Sequence, residues 1–68
     1  MSWELYYETE YREWTPSNGW GEYQTMKGKS DSKEEAELKG SDFKKKWQKN
    51  PDNSGKKIEI FIGGPYMD

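Results

Sequence analysis

From Trp3 to Trp14 the chain alternates with period two, and this stretch constrains the fold more than any other. One parity carries Trp3, Leu5, Tyr7, Thr9 and Tyr11; the other carries Glu4, Tyr6, Glu8, Glu10, Arg12 and Trp14. Side chains of a strand point alternately to opposite faces, so the mainly apolar first set is expected to face the core and the mainly charged second set to face away. A strand this long in a chain of 68 residues dictates a sheet that the rest must cover. Thr15-Pro16-Ser17-Asn18-Gly19 supplies turn chemistry, since Pro pre-sets φ and Asn or Gly accepts positive φ. Trp20 to Lys27 is then predicted to return as the second strand of a hairpin.

The register of that hairpin follows from charge. A five-residue loop sets Trp14 opposite Trp20, Arg12 opposite Glu22 and Tyr11 opposite Tyr23. A slip of one residue would set Glu13 against Glu22, a destabilising like-charge pair, and would exchange the faces of the second strand. The first register puts Tyr23 and Thr25 on the core side, with Trp20, Glu22, Gln24 and Met26 on the other.

Gly28 to Ser30 is expected to be a connector. In Ser32-Lys33-Glu34-Glu35, Ser32 is placed to cap a helix whose third residue is Glu35. The spacing predicts a helix from Lys33 to about Lys49, with Ala36, Gly40, Phe43 and Trp47 on one face and Leu38 on the opposite one. Gly40 weakens a helix by ~1 kcal/mol relative to Ala, and its place on the apolar stripe implies close approach to the sheet. The rival reading breaks the helix at Gly40-Ser41, with Ser41 capping a second short helix. Asn50 to Gly55 is a loop by composition. Lys56 to Gly63 is expected to form the last strand, with Ile58, Ile60 and Ile62 on the core parity and Phe61 on the other; Gly63-Gly64-Pro65 ends it. A right-handed crossover sets that strand beside the first. The predicted fold is thus α+β: a single ββαβ domain over residues 1–68, with a three-stranded antiparallel sheet of order 2-1-3 and one helix packed on one face.

Composition narrows the function classes. Apolar residues make up 29 % of the chain, which implies a thin core, but more than half of them are rings (four Trp, five Tyr, two Phe). Each ring buries a large area, so a folded domain is expected despite 35 % charged residues. Cys and His are both absent. Their absence removes the thiol nucleophile, the commonest general base and the usual transition-metal ligands. The glycines lack phosphate-loop and dinucleotide spacing. The expectation is therefore a non-enzyme with no cofactor and no metal. No basic segment followed by an apolar run marks a signal peptide, and Ile60-Phe61-Ile62, the longest apolar run, is too short to span a bilayer. Together with the lack of Cys, this fits a cytoplasmic protein with no membrane partner.

Two surfaces are left as candidates. On the sheet face away from the helix, Glu4, Tyr6, Glu8, Glu10, Trp14, Trp20 and Phe61 combine rings with carboxylates, as a protein partner with a basic surface requires. The same carboxylates would repel phosphates, which makes nucleic acid an unlikely ligand there. The opposing interpretation is that Trp14 and Trp20 merely pack on each other across the hairpin. At the helix end, Lys44-Lys45-Lys46, Trp47 and Lys49 suggest nucleic-acid binding, but cations at a helix C-terminus also satisfy its dipole. Three readings follow: a small protein-binding module, in size and style like phage or mobile-element inhibitors that occupy a basic nucleic-acid-binding groove of a host protein; a nucleic-acid-binding protein acting through Lys44–Lys49; and a homodimer pairing its open sheet faces.

Overall fold

The computed structural model describes residues 4–67. Strand β1 (Leu5–Thr15) is followed by two short strands, β2 (Gly19–Trp20) and β3 (Gln24–Thr25). The helix α1 (Lys33–Lys49), a 3-10 turn (Pro51–Asn53) and strand β4 (Lys57–Met67) complete the chain. The fold is α+β, as the alternation and the helical stripe predict. β1 is central: β2 and β3 pair antiparallel along one of its edges, and β4 pairs antiparallel along the other. The helix covers one face, giving a thin two-layer plate of 49 × 21 × 14 Å.

The core lies where small residues let helix and sheet approach. Ala36 and Gly40 are buried on α1, and Thr9 is buried on β1. The Thr9 hydroxyl donates to the Ala36 carbonyl at 2.8 Å, so the buried polar group is satisfied. A Cβ on Gly40 would lie 2.6 Å from Ile60 Cγ2 and 3.1 Å from Thr9 Cγ2. Glycine is what this approach demands, and the helix runs through Gly40 and Ser41 unbroken. Further along, the Tyr11 and Phe43 rings sit 4.7 Å apart. Trp47 is buried, and its Nε1 donates to Glu13 Oε1 at 3.0 Å. The odd parity of β1 therefore faces the helix. Ser32 caps α1 as expected, its hydroxyl accepting from the Glu35 N–H. The Glu35 carboxylate reaches back one residue further than a capping box requires and accepts from the Asp31 N–H.

Four expectations need correction. The hairpin register holds at Trp14↔Trp20, but Tyr11 pairs with Gln24 and Glu10 with Thr25. Three residues, Gly21 to Tyr23, stand against Arg12 and Glu13, a one-residue bulge that splits the predicted second strand in two. Beyond it the faces exchange: Tyr23 and Thr25 leave the core side, while Gln24 takes it, accepting from the Tyr11 hydroxyl at 3.1 Å. Met26, whose N–H donates to the Thr9 carbonyl, follows Gln24 by parity.

The second correction concerns β4, which passes through Gly63-Gly64-Pro65 to Met67. Its register against β1 shifts between Tyr6 and Glu8, so Gly64 and Pro65 together oppose Tyr7. A bulge of two residues against one is a place where a strand tolerates Pro. Third, the connector is not free of the sheet. Ser30, 1 % exposed, exchanges two backbone hydrogen bonds with Tyr7. Fourth, Leu5 lies on the core parity yet is 52 % exposed, because the helix begins its cover only at Thr9. Trp3 lies outside the described residues.

Candidate functional site

The face opposite the helix is built by the even residues of β1 and by what pairs with them. Strand pairing sets Tyr6 opposite Tyr66, Glu10 opposite Phe61 and Arg12 opposite Glu59 along one edge, and Trp14 opposite Trp20 along the other. Of the seven sequence-predicted residues, Tyr6, Glu8, Glu10, Trp14, Trp20 and Phe61 share this face. Glu4 is exposed just before β1 begins. The four most exposed rings of the face are Phe61 (51 %), Tyr23 (43 %), Trp20 (41 %) and Tyr66 (41 %).

At the centre stands Arg12. Its guanidinium carbon lies 4.6 Å from the Trp20 ring centroid and 5.0 Å from that of Tyr23, and its Nη2 is 3.2 Å from Glu59 Oε2. Tyr23 donates its hydroxyl to Glu59 Oε1 at 2.6 Å, and its ring stands 5.9 Å from Phe61. The hydrogen bond from Tyr23, and then that from Arg12, hold the Glu59 carboxyl below its ordinary value of 4.5. The same bond to Glu59, with some loss of hydration, raises Tyr23 above its ordinary 10.0. The pair Arg12–Glu59 is open to water, so its net contribution to stability is small; its effect is to fix the rings around it.

The other rings also hold cations. Lys57 Nζ is 4.9 Å from the Trp14 centroid, and Lys29 Nζ is 4.3 Å from that of Tyr6. Tyr6 and Tyr66 approach to 5.5 Å. Gly63 makes room beneath them: a Cβ there would meet the Tyr66 hydroxyl at 2.6 Å and Glu10 Oε2 at 2.9 Å. Trp14 and Trp20, though cross-strand partners, are each engaged by a cation from a different residue.

Tyr23, Glu59, Tyr66 and Lys57 also stand on this face, beyond the residues expected there. Glycines are the signal for two of them: Gly21 inside a strand pattern marks the bulge that turns Tyr23 outward, and Gly63-Gly64 marks the one that carries β4 on to Tyr66. Glu59 and Lys57 share the parity of Phe61. At the helix end, Lys44, Lys45, Lys46 and Lys49 are exposed, whereas the ring among them, Trp47, is buried with its indole N–H committed to Glu13. No ring of that run is left for a base to stack upon. Among the described residues, no helix is long and apolar enough to cross a membrane.

Comparison with known proteins finds no matching family model, no similar curated protein and no similar solved structure.

Proposed function

We propose that this chain is a small protein-binding module, without catalytic activity, whose bare sheet face docks on a basic surface of a partner protein. A nucleic-acid-binding groove of a host protein is the kind of surface it suits, which makes the module an inhibitor by occupation. One observation carries this reading: every cation–π contact in the described residues falls on this face, with Arg12, Lys57 and Lys29 seated on Trp20, Tyr23, Trp14 and Tyr6. Rings that gather the chain's own cations offer the same quadrupole to cations of a partner, and Arg and Lys seek such rings where water is excluded. Glu8 and Glu10 lie between the rings with no ion-pair partner among the described residues and favour the same sign of partner. The exposed rings supply the desolvated area on which binding energy concentrates, about 2 kcal/mol or more for an anchor.

The test is a pull-down from the source cell or its host, using wild type and a Trp14→Ala/Trp20→Ala double variant. Wild type is expected to retain a basic protein that the double variant loses. Glu10→Lys should slow association and flatten its dependence on salt, while Trp20→Ala accelerates dissociation. Equal capture by both proteins, or loss only on replacing Lys44, Lys45 and Lys46 by Ala, moves the working surface to the helix end and refutes this reading.

A further inference from the structure

The outer edge of β4 is uncovered, and its chemistry matches a second copy of itself. Backbone groups of β1 alternate between its two edges. Tyr7 exchanges both its bonds with Ser30, the Thr9 carbonyl accepts from Met26, and the Glu13 carbonyl accepts from Gly21. Odd residues of β1 thus serve the hairpin edge, so Glu8, Glu10, Arg12 and Trp14 serve β4. Their partners Gly63, Phe61, Glu59 and Lys57 are therefore satisfied by β1. The intervening Ile58, Ile60 and Ile62 direct their N–H and C=O groups outward, and among the described residues no strand pairs there. This edge lies in Ile58-Glu59-Ile60-Phe61-Ile62, the most apolar segment of the chain, with high β propensity and no Pro. Folded proteins protect such an edge. It also borders an open groove of about 520 Å³ lined by the three isoleucines and by Glu37, Ser41 and Lys44 of α1.

We propose that two chains pair antiparallel through β4, on a two-fold axis at Ile60, to give a continuous sheet with both helices on one side. This register sets Ile60 against Ile60 and Ile58 against Ile62 of the other copy. It is the antiparallel register that uses all three outward-facing residues. The ladder stops where it must: the Lys56 N–H is committed to Asn53, and Gly64 sits in the bulge. Charge supports the same axis. The helix is antiparallel to β4, since Ala36 lies at Thr9, opposite Ile62, and Trp47 lies at Glu13, opposite Ile58. The dyad therefore brings Glu37 of each chain toward Lys44 of the other, with Ser41 near the axis. Neither Glu37 nor Lys44 has an ion-pair partner among the described residues of its own chain. Spacing agrees as well: α1 lies over β1 and β4, so strands ~4.8 Å apart put the two helices about 10 Å apart, an ordinary helix-packing distance. The open face takes no part, so this inference is independent of the proposed function.

Sedimentation from micromolar to millimolar concentration should show the 8.1 kDa chain passing to twice its mass. Lys44→Glu alone and Glu37→Lys alone should each raise the dimer dissociation constant roughly ten-fold, and the double exchange should restore it. Both positions are exposed on the helix, and circular dichroism verifies that the variants fold. Amide exchange supplies a second readout: Ile58, Ile60 and Ile62 should be protected at high concentration and exchange fast on dilution, while Glu59 and Phe61 stay protected throughout. A monomer at every concentration overturns the proposal. So does a dimer that tolerates either single charge reversal but is lost on Trp20→Ala, or an edge protected only when another protein is supplied.

Discussion

Gly40→Ala opposes two well-scaled effects, and the structure decides the sign. In an exposed helix interior this change stabilises by ~1 kcal/mol, because Ala restricts the unfolded backbone and favours the helix. Here the new methyl would lie 2.6 Å from Ile60 Cγ2 and 3.1 Å from Thr9 Cγ2, both on stiff, β-branched side chains. Neither can swing aside as the end of a long flexible chain would, so the helix must lift from the sheet. Lifting stretches the 2.8 Å bond from the Thr9 hydroxyl to the Ala36 carbonyl. Overpacking of this kind costs about 1–3 kcal/mol, and the double contact belongs in the upper part of that range. Subtracting the helix gain leaves a net loss of about 1–2 kcal/mol, or roughly 4–8 °C in Tm for each kcal/mol in a domain of this size. Urea denaturation measures it directly, with Lys45→Ala on the exposed side as a control that should move little. Thr9→Ser keeps the hydroxyl and removes Cγ2, so Gly40→Ala should be less damaging in that background by at least ~0.5 kcal/mol. If Gly40→Ala raises stability by the full helix-propensity gain, the helix does not approach the sheet on Gly40 and the packing described above is wrong.

Two further predictions concern the helix end and the open face. Trp47→Phe keeps a large ring but leaves Glu13 without the indole N–H, and should destabilise by about 1–2 kcal/mol in chemical denaturation; an unchanged midpoint would remove Glu13 from the core. For the open face, NMR titration should find the Glu59 carboxyl titrating below 4.5 and the Tyr23 hydroxyl above 10.0. The contribution of Glu59 is present above its unfolded value and lost as pH falls through its lowered one, whereas that of Tyr23 is present below its unfolded value and lost as pH rises through its raised one. Glu59→Gln should return Tyr23 toward its ordinary value; a Tyr23 that titrates alike in both proteins would show that the 2.6 Å bond does not form in solution.

Where the sequence was legible, a periodic signal and a packing constraint coincided. The parity of β1 followed from Thr9, Tyr11 and their neighbours, and the helix followed from its Ser32 cap and the stripe Ala36, Gly40, Phe43 and Trp47. Gly40 was informative because its weakness as a helix former has one physical remedy on an apolar stripe, contact with the sheet. What alternation cannot register is an inserted residue. A bulge leaves the pattern intact on either side and exchanges the faces between them. At Gly21 the like charges of Glu13 and Glu22 impose a local constraint against a slipped register. The chain met it another way, keeping Trp14 against Trp20 and slipping only beyond the bulge. The consequence is concentrated in the candidate site. Tyr23, expected on the core side, instead joins Arg12, Glu59 and Phe61, so the most connected part of the open face depends on one of the residues whose sides the bulge exchanges. At Gly63-Gly64 the same physics acted in reverse. A Gly-Gly-Pro that usually ends a strand was absorbed two-for-one against Tyr7, and the four residues beyond Gly63 brought Tyr66 to Tyr6. Both departures fall at glycines inside apolar alternation, where the backbone is free to bulge. Both deliver a tyrosine to the same face, which makes that face a product of the backbone irregularities as much as of the strand pattern.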